Sequence, residues 1–197
     1  MGRREDNKAE KRRRLEAAGL RELLAVGYAA ATVDRVVAEA GVARGTFYLY
    51  YADKHAMYVA LLDRFWGPLG EGVARAREAL RVGSEPMAVY AALGAELATV
   101  VASDPDGARL SLRESRSAGA GGVEVRARSA QVEALTEAIL VDAVARGLLR
   151  PHHTGAVALA ITGGVERLVW AWLEGEGELD PMVVTAELTG LFTFGLR

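Results

Sequence analysis

Residues 32–54 read TVDRVVAEAGVARGTFYLYYADK, and this stretch decides the fold. Thr32 is placed to cap a short helix over about 33–40, whose Val33, Val36 and Val37 point inward. Gly41 breaks that helix, and Ala40-Gly41-Val42-Ala43 makes a sharp turn into a third helix of about seven residues starting at Ala43 or Arg44. Asp53 then caps a long fourth helix. Two short helices across a glycine-containing turn, braced by Val36, Val42 and Phe47, form a helix-turn-helix. The second of them is free to enter a major groove, which is wide enough for a helix.

The residues on that helix suit the task. Arg44 can reach guanine edges with two parallel hydrogen bonds, and Thr46 can meet a base or a phosphate. Gly45 allows close approach of the backbone, and the Tyr48 and Tyr50 hydroxyls are suited to phosphate oxygens. Thr32 and Lys54 each stand at a helix N-terminus, where free N–H groups and the helix dipole favour an anion. The expected DNA-binding set is therefore Thr32, Arg44, Gly45, Thr46, Tyr48, Tyr50 and Lys54.

Upstream, residues 8–26 put Leu15, Gly19, Leu20, Leu23 and Leu24 on one stripe of a first helix that Gly27 ends. Downstream the signals stay helical, with no alternating strand pattern. Gly67-Pro68 is expected to interrupt the fourth helix, because proline removes an N–H and crowds the carbonyl one turn back. It could serve as a hinge between head and body. Further helices follow at about 87–103, 105–117 and 123–146, then one that Thr154 caps and that reaches Leu173. Asp180-Pro181 opens the last. The expectation is an all-α chain of about nine helices. A three-helix head with a basic N-terminal arm occupies 1–54, and a long helix joins it to a helical body over 55–197.

Charge agrees with that division. Residues 1–64 hold 12 Lys+Arg against 9 Asp+Glu, residues 65–197 hold 12 against 17, and the whole chain of 197 residues carries −2. All three lysines, Lys8, Lys11 and Lys54, lie in the first part. A basic head on an acidic body suits a polyanionic partner. Cysteine is absent, so disulfides and cysteine-ligated zinc are ruled out. The apolar segment from Gly155 to Leu173 carries Glu166 and Arg167, a pair that disfavours a membrane span. The N-terminus has no signal-peptide pattern, and a soluble cytoplasmic protein is expected.

No catalytic pattern emerges. His152-His153 is an adjacent pair in a turn, without the i, i+4 spacing that places two imidazoles on one metal. Gly119, Gly121 and Gly122 do not form a dinucleotide-binding loop and follow no strand. Neither an enzyme, a metal site nor a cofactor is expected.

The run Gly27-Tyr28, Thr32-Val33, Val36, Ala40-Gly41-Val42, Arg44-Gly45-Thr46-Phe47-Tyr48, Tyr50-Tyr51 and Asp53-Lys54 closely resembles the DNA-binding signature of the tetracycline-repressor (TetR) family. The match covers about 12–64 without gaps. Ala31 and Ala43 depart from it, standing where a threonine and a capping hydroxyl residue are usual; Gly19 replaces a common alanine and Tyr51 a common phenylalanine. The resemblance implies a transcriptional repressor released from a pseudo-palindromic operator by a small molecule. An alternative is a DNA-binding dimer that is constitutive or controlled by a protein partner.

Two half-sites need two heads, so a homodimer is expected through the last two helices. Ala156, Ala160, Gly163 and Gly164 in one, with Ala186, Gly190 and Gly195 in the other, allow close approach. Leu159, Val169, Leu188, Leu191 and Phe192 would bury against a partner as a four-helix bundle. The resemblance also implies an effector pocket in the body. Trp66, Tyr90 and Trp170 are its candidate walls, for an apolar or aromatic ligand.

Overall fold

The computed structural model describes residues 2–175 and residue 190, and these are all-helical. The helices are α1 (Gly2–Ala30), α2 (Val33–Ala40), α3 (Arg44–Phe47), α4 (Lys54–Arg81), α5 (Pro86–Ser103), α6 (Pro105–Ser115), α7 (Ala120–Ala145) and α8 (Thr154–Leu173). The expected final helix, with Ala186, Leu188, Leu191, Phe192 and Gly195, lies outside the described residues.

The chain forms two compact units, one of Met1–Phe65 with Asp106–Arg126 and one of Trp66–Pro105 with Ala127–Arg197. In the first, α2 packs on α1 and α3 on α2. Leu15, Ala18 and Leu23 from α1, Val36 from α2, Phe47 from α3 and Met57, Tyr58, Leu61 and Leu62 from α4 fill its core. Gly19 lets the last of these helices come close: a Cβ there would stand 2.6 Å from Met57 Sδ. In the second unit, Val73, Ala76, Val89, Leu93, Leu135 and Ile139 make one apolar cluster. Leu140, Ala143, Leu149, Ala158 and Ile161 make another, and Tyr90 packs against both.

Several helix ends fall where the sequence marks them. Thr32 Oγ1 accepts from Arg35 N–H at 3.3 Å, and Asp53 Oδ1 from Ala56 N–H at 2.8 Å. Gly41 adopts φ 62°, the left-handed cap that a side chain disfavours. Gly27, at φ 79°, breaks α1 before its last turn.

Other ends differ. α1 starts at Gly2 rather than near residue 8, since no breaker follows Gly2 and the pairs Glu10–Arg13 and Arg12–Glu16 support the early turns. α3 is shorter than expected, its helix giving way to turns over residues 48–50. The cap of α8 is His153, whose Nδ1 accepts from Ala156 N–H at 3.1 Å, while Thr154 Oγ1 donates to Glu137. Pro68 does not interrupt α4. Gly67 and Pro68 are both exposed, so the ring faces solvent, and the buried stripe Phe65, Leu69, Val73, Ala76 continues across it. A proline on the outer face is tolerated when the inner face is held on both sides.

Candidate nucleic-acid interface

α3 is anchored by one side chain and open on the rest. Phe47 is fully buried, edge-on to Tyr48 and tilted against Tyr51. That pins the segment and leaves its other residues outward: Tyr48 is 48% and Leu49 78% exposed. Arg44 and Gly45 are exposed too, with open space beside Gly45, and Thr46 is half-buried. Ala43 supplies no side-chain cap, as its methyl group dictates.

Arg44 is already oriented. Its guanidinium donates to Asp34 Oδ1 on α2 and lies 3.5 Å from the Tyr48 hydroxyl. The hydrogen bond to Tyr48 and the Asp34 carboxylate hold its pKa above the usual arginine value. Donors not used by Asp34 remain for a base edge or a phosphate, since a guanidinium carries five N–H groups in a fork.

Two expected phosphate contacts are turned to the protein itself. Lys54 Nζ donates to the carbonyls of Tyr28 (2.7 Å), Ala31 (2.9 Å) and Ala29 (3.3 Å), and sits 4.6 Å from the centre of the Tyr28 ring. It thereby satisfies the open carbonyl end of α1. The Tyr50 hydroxyl donates to Lys8 O at 2.9 Å. The structure thus gathers Thr32, Arg44, Gly45, Thr46 and Tyr48 around α2 and α3, while Tyr50 and Lys54 reach back from beyond α3 to tie down α1.

Sequence reasoning missed three participants. Asp34, which orders Arg44, sits ten residues away with no motif to mark the pairing. Leu49 is an apolar tip suited to a thymine methyl group, and only its position beyond Phe47 hints at it. The third is a brace behind the head, contributed by α6 and α7.

In that brace Glu114, only 4% exposed, accepts from Tyr28 N–H at 2.9 Å through Oε1. Arg113 donates to Leu24 O at 2.8 Å, and the Tyr58 hydroxyl to Gly121 O at 2.9 Å. A Cβ on Gly121 would meet the Tyr28 side chain at 2.8 Å, so glycine is needed for that approach. The Tyr28 hydroxyl lies 3.0 Å from His55 Nδ1, and His55 Nε2 is 3.4 Å from Glu124. Burial, and then the Asp53 and Glu124 carboxylates, push the Tyr28 hydroxyl pKa up. α6 and the start of α7 therefore hold the broken end of α1, on which the helix-turn-helix is built.

Of the three candidate pocket walls, Tyr90 joins the two apolar clusters of the second unit, and burial raises its hydroxyl pKa. Trp66 is half-buried, while Trp170 is exposed on α8 together with Leu159. Among the described residues no group of three or more His, Cys, Asp or Glu side chains could hold a metal ion.

Known proteins match the chain in two parts. The family described as "Bacterial regulatory proteins, tetR family" matches residues 15–61, and a "Tetracyclin repressor-like, C-terminal domain" matches residues 83–196. No curated protein sequence matches the chain. Among solved structures, the fatty acid degradation regulator FadR of Bacillus halodurans is similar at 22% identity and TM-score 0.71, covering 93% of this chain and 98% of that one. FadR of Bacillus subtilis, in complex with stearoyl-CoA, is similar at 19% and 0.70, with the same coverage. AibR, in complex with isovaleryl coenzyme A and operator DNA, is similar at 16% and 0.71, covering 92% of this chain and 97% of that one. At such identities the likeness bears on the fold.

Proposed function

The chain belongs to the tetR family of bacterial regulatory proteins, and on that premise we propose that it represses transcription as a homodimer and leaves its operator when a small molecule binds the body. One observation carries the DNA-binding half: across residues 42–50 Phe47 alone is buried, while Arg44, Gly45, Tyr48 and Leu49 are turned outward. Two copies of a helix displayed this way can meet two half-sites about one DNA turn apart, roughly 34 Å.

In this reading Arg44 and Leu49 read bases, while Thr32, Thr46 and Tyr48 hold phosphates with Gly45 giving clearance. Tyr50 and Lys54 act mainly through α1. Residues 1–54 are the reading head, and 55–197 carry dimerisation and the effector site.

We assign the partner face to α8 and to the final helix expected from the sequence. An 18-residue stretch within Thr154–Leu173 has a mean hydropathy of 1.4 with only 17% of that stretch buried. Leu159 at 60% and Trp170 at 38% exposure stand on its surface. An apolar helix left this open in a single chain calls for a protein partner. By length and composition it could also cross a membrane, as could Pro86–Ser103. Both lie inside the matched C-terminal regulator domain, which favours a dimer in the cytoplasm.

The exposure of Trp170 fits that partner face better than an enclosed wall, leaving Tyr90 and Trp66 for the effector. Two proteins of the same fold bind stearoyl-CoA and isovaleryl coenzyme A. Acyl-CoA thioesters are therefore the first effectors to try. Their acyl chains suit the apolar ligand that the body favours.

The test is selection of binding sites from random duplex DNA, followed by titration of the recovered operator with acyl-CoA. An inverted repeat, released by an acyl-CoA, is expected. Arg44→Ala should lose about 1–3 kcal/mol of discrimination at one base position per half-site, with the other positions unchanged. A base-preference profile identical to that of the unaltered protein would remove Arg44 from the reading set.

A further inference from the structure

We propose that the start of α1 is a second DNA-binding element, in which Lys8 and Lys11 grip the phosphate backbone beside the groove that α3 enters. This deepens the DNA-binding reading above and rests on it.

The first ground is which cations are left over. Nine cationic side chains fall between residues 5 and 54. Seven are engaged within the chain: Arg12 with Glu16, Arg13 with Glu10, Arg21 with Glu39, Arg35 with Glu22, Arg44 with Asp34, Arg14 on the carbonyl of Ala40, and Lys54 on the α1 carbonyls. Among the described residues, the ammonium groups of Lys8 and Lys11 have no hydrogen bond or ion pair, and both residues are exposed. A lysine ammonium with no partner among the described residues can meet a phosphate without first breaking a bond to them.

The second ground is the face on which they stand. Lys8, Lys11, Leu15, Ala18 and Glu22 follow steps of three or four residues, so they share one stripe of α1. From Leu15 onward that stripe is buried against the rest of the head. One and two turns earlier the same face has run past the core, and there it carries lysine where apolar residues would otherwise continue. An amphipathic helix whose inner stripe changes from leucine to lysine at the core's edge is suited to a second, anionic surface.

The third ground is continuity with the reading helix. The Tyr50 hydroxyl, three residues beyond α3, donates to the carbonyl of Lys8 at 2.9 Å. This ties the lysine-bearing turn to the recognition segment, so that when α3 lies in a groove the turn is carried to the flanking backbone. The ligand chemistry is a run of phosphodiesters, which lysine meets as a point charge without reading sequence.

The experiment uses the full chain and the selected operator. Kd is measured from low to high salt for the unaltered protein, for Lys8→Gln/Lys11→Gln, and for Arg77→Gln/Arg150→Gln. The last removes equal charge from exposed positions of the second unit. Each lost phosphate contact should make the slope of log K against log salt shallower by about 0.9. For two protomers the double lysine variant loses up to four contacts. Its affinity should fall alike on operator and unrelated duplex, with the base-preference profile intact and the arginine control near the unaltered slope. A lysine variant with the unaltered slope and affinity overturns the proposal while leaving the DNA-binding reading in place, and so does a shift that the arginine control matches. Failure of the unaltered protein to bind any duplex at low salt would instead sink that reading, and this proposal with it.

Discussion

Both units of the chain have apolar cores, but they differ in how many helix ends are tied down by side chains. In the first, helix ends are tied down one by one: Lys54 on three carbonyls at the end of α1, Glu114 on the Tyr28 amide, Arg113 on the Leu24 carbonyl, Arg14 on the Ala40 carbonyl. In the second, two apolar clusters that share Tyr90 stand beside fewer such ties, among them Arg146 on the Gly83 and Ser84 carbonyls. Apolar packing fixes how much volume is filled but is tolerant of how, whereas a hydrogen bond to a particular carbonyl fixes direction. Under the proposed function, the unit that presents Arg44 to a base edge needs direction, and the one that encloses an effector and accepts a partner needs tolerant volume.

The comparison is broken most forcefully by emptying the second unit. Leu135 is 0% exposed within the larger cluster. Leu135→Ala should cost about 2–5 kcal/mol through lost burial and a cavity, read as a lower urea midpoint. Operator affinity measured well below that midpoint should change little. A large loss of affinity without loss of stability would show that the apolar clusters set direction after all.

Next in size is the brace behind the head. Glu114→Ala leaves the Tyr28 amide without its acceptor, a loss of about 1–3 kcal/mol. Because that amide sits at the Gly27 break, operator affinity should fall along with stability. Glu114→Gln keeps an acceptor oxygen and should recover most of both. If alanine and glutamine behave alike, the hydrogen bond is not what positions α1.

The same contrast explains what is legible in the sequence. Ends set by local chemistry can be read directly: Thr32, Gly41 and Asp53 act within three or four residues of themselves, and Gly27 needs only its own backbone angle. The exposed face of α3 is legible because Phe47 is its one large apolar anchor. The brace is not, because 86 residues separate Glu114 from Tyr28, and no local pattern distinguishes a glutamate that caps a distant helix from one that faces water. The partners of Lys54 are hidden for the same reason: its place at a helix N-terminus is visible, but the three carbonyls that folding brings to it are not. Pro68 misleads in the opposite sense: its local effect is clear, but the buried stripe on either side outweighs it. His153 caps α8 with a ring nitrogen, an acceptor that the usual set of capping residues omits.

The smallest expected effect sharpens the comparison within the head itself. Tyr51, at 6% exposed, donates its hydroxyl to Glu16 at 2.7 Å, and Glu16 in turn pairs with Arg12. Burial first, and then the hydrogen bond to Glu16, push the Tyr51 pKa from 10.0 up to about 12. The folded state therefore prefers the neutral phenol. Its contribution to stability is fully present below pH 10, the unfolded value, and is lost as the pH rises through about 12. Tyr51→Phe keeps the ring against Phe47 and removes only the hydroxyl, so near neutrality it should cost about 1 kcal/mol. Urea unfolding of both proteins at pH 8 and pH 11 gives the check. The gap between them should narrow at the higher pH, because only the unaltered protein has this phenol to ionise on unfolding. A gap that stays constant would mean the hydroxyl is not differentially ionised, and that Tyr51 serves the head as apolar filling, in the manner of the other unit.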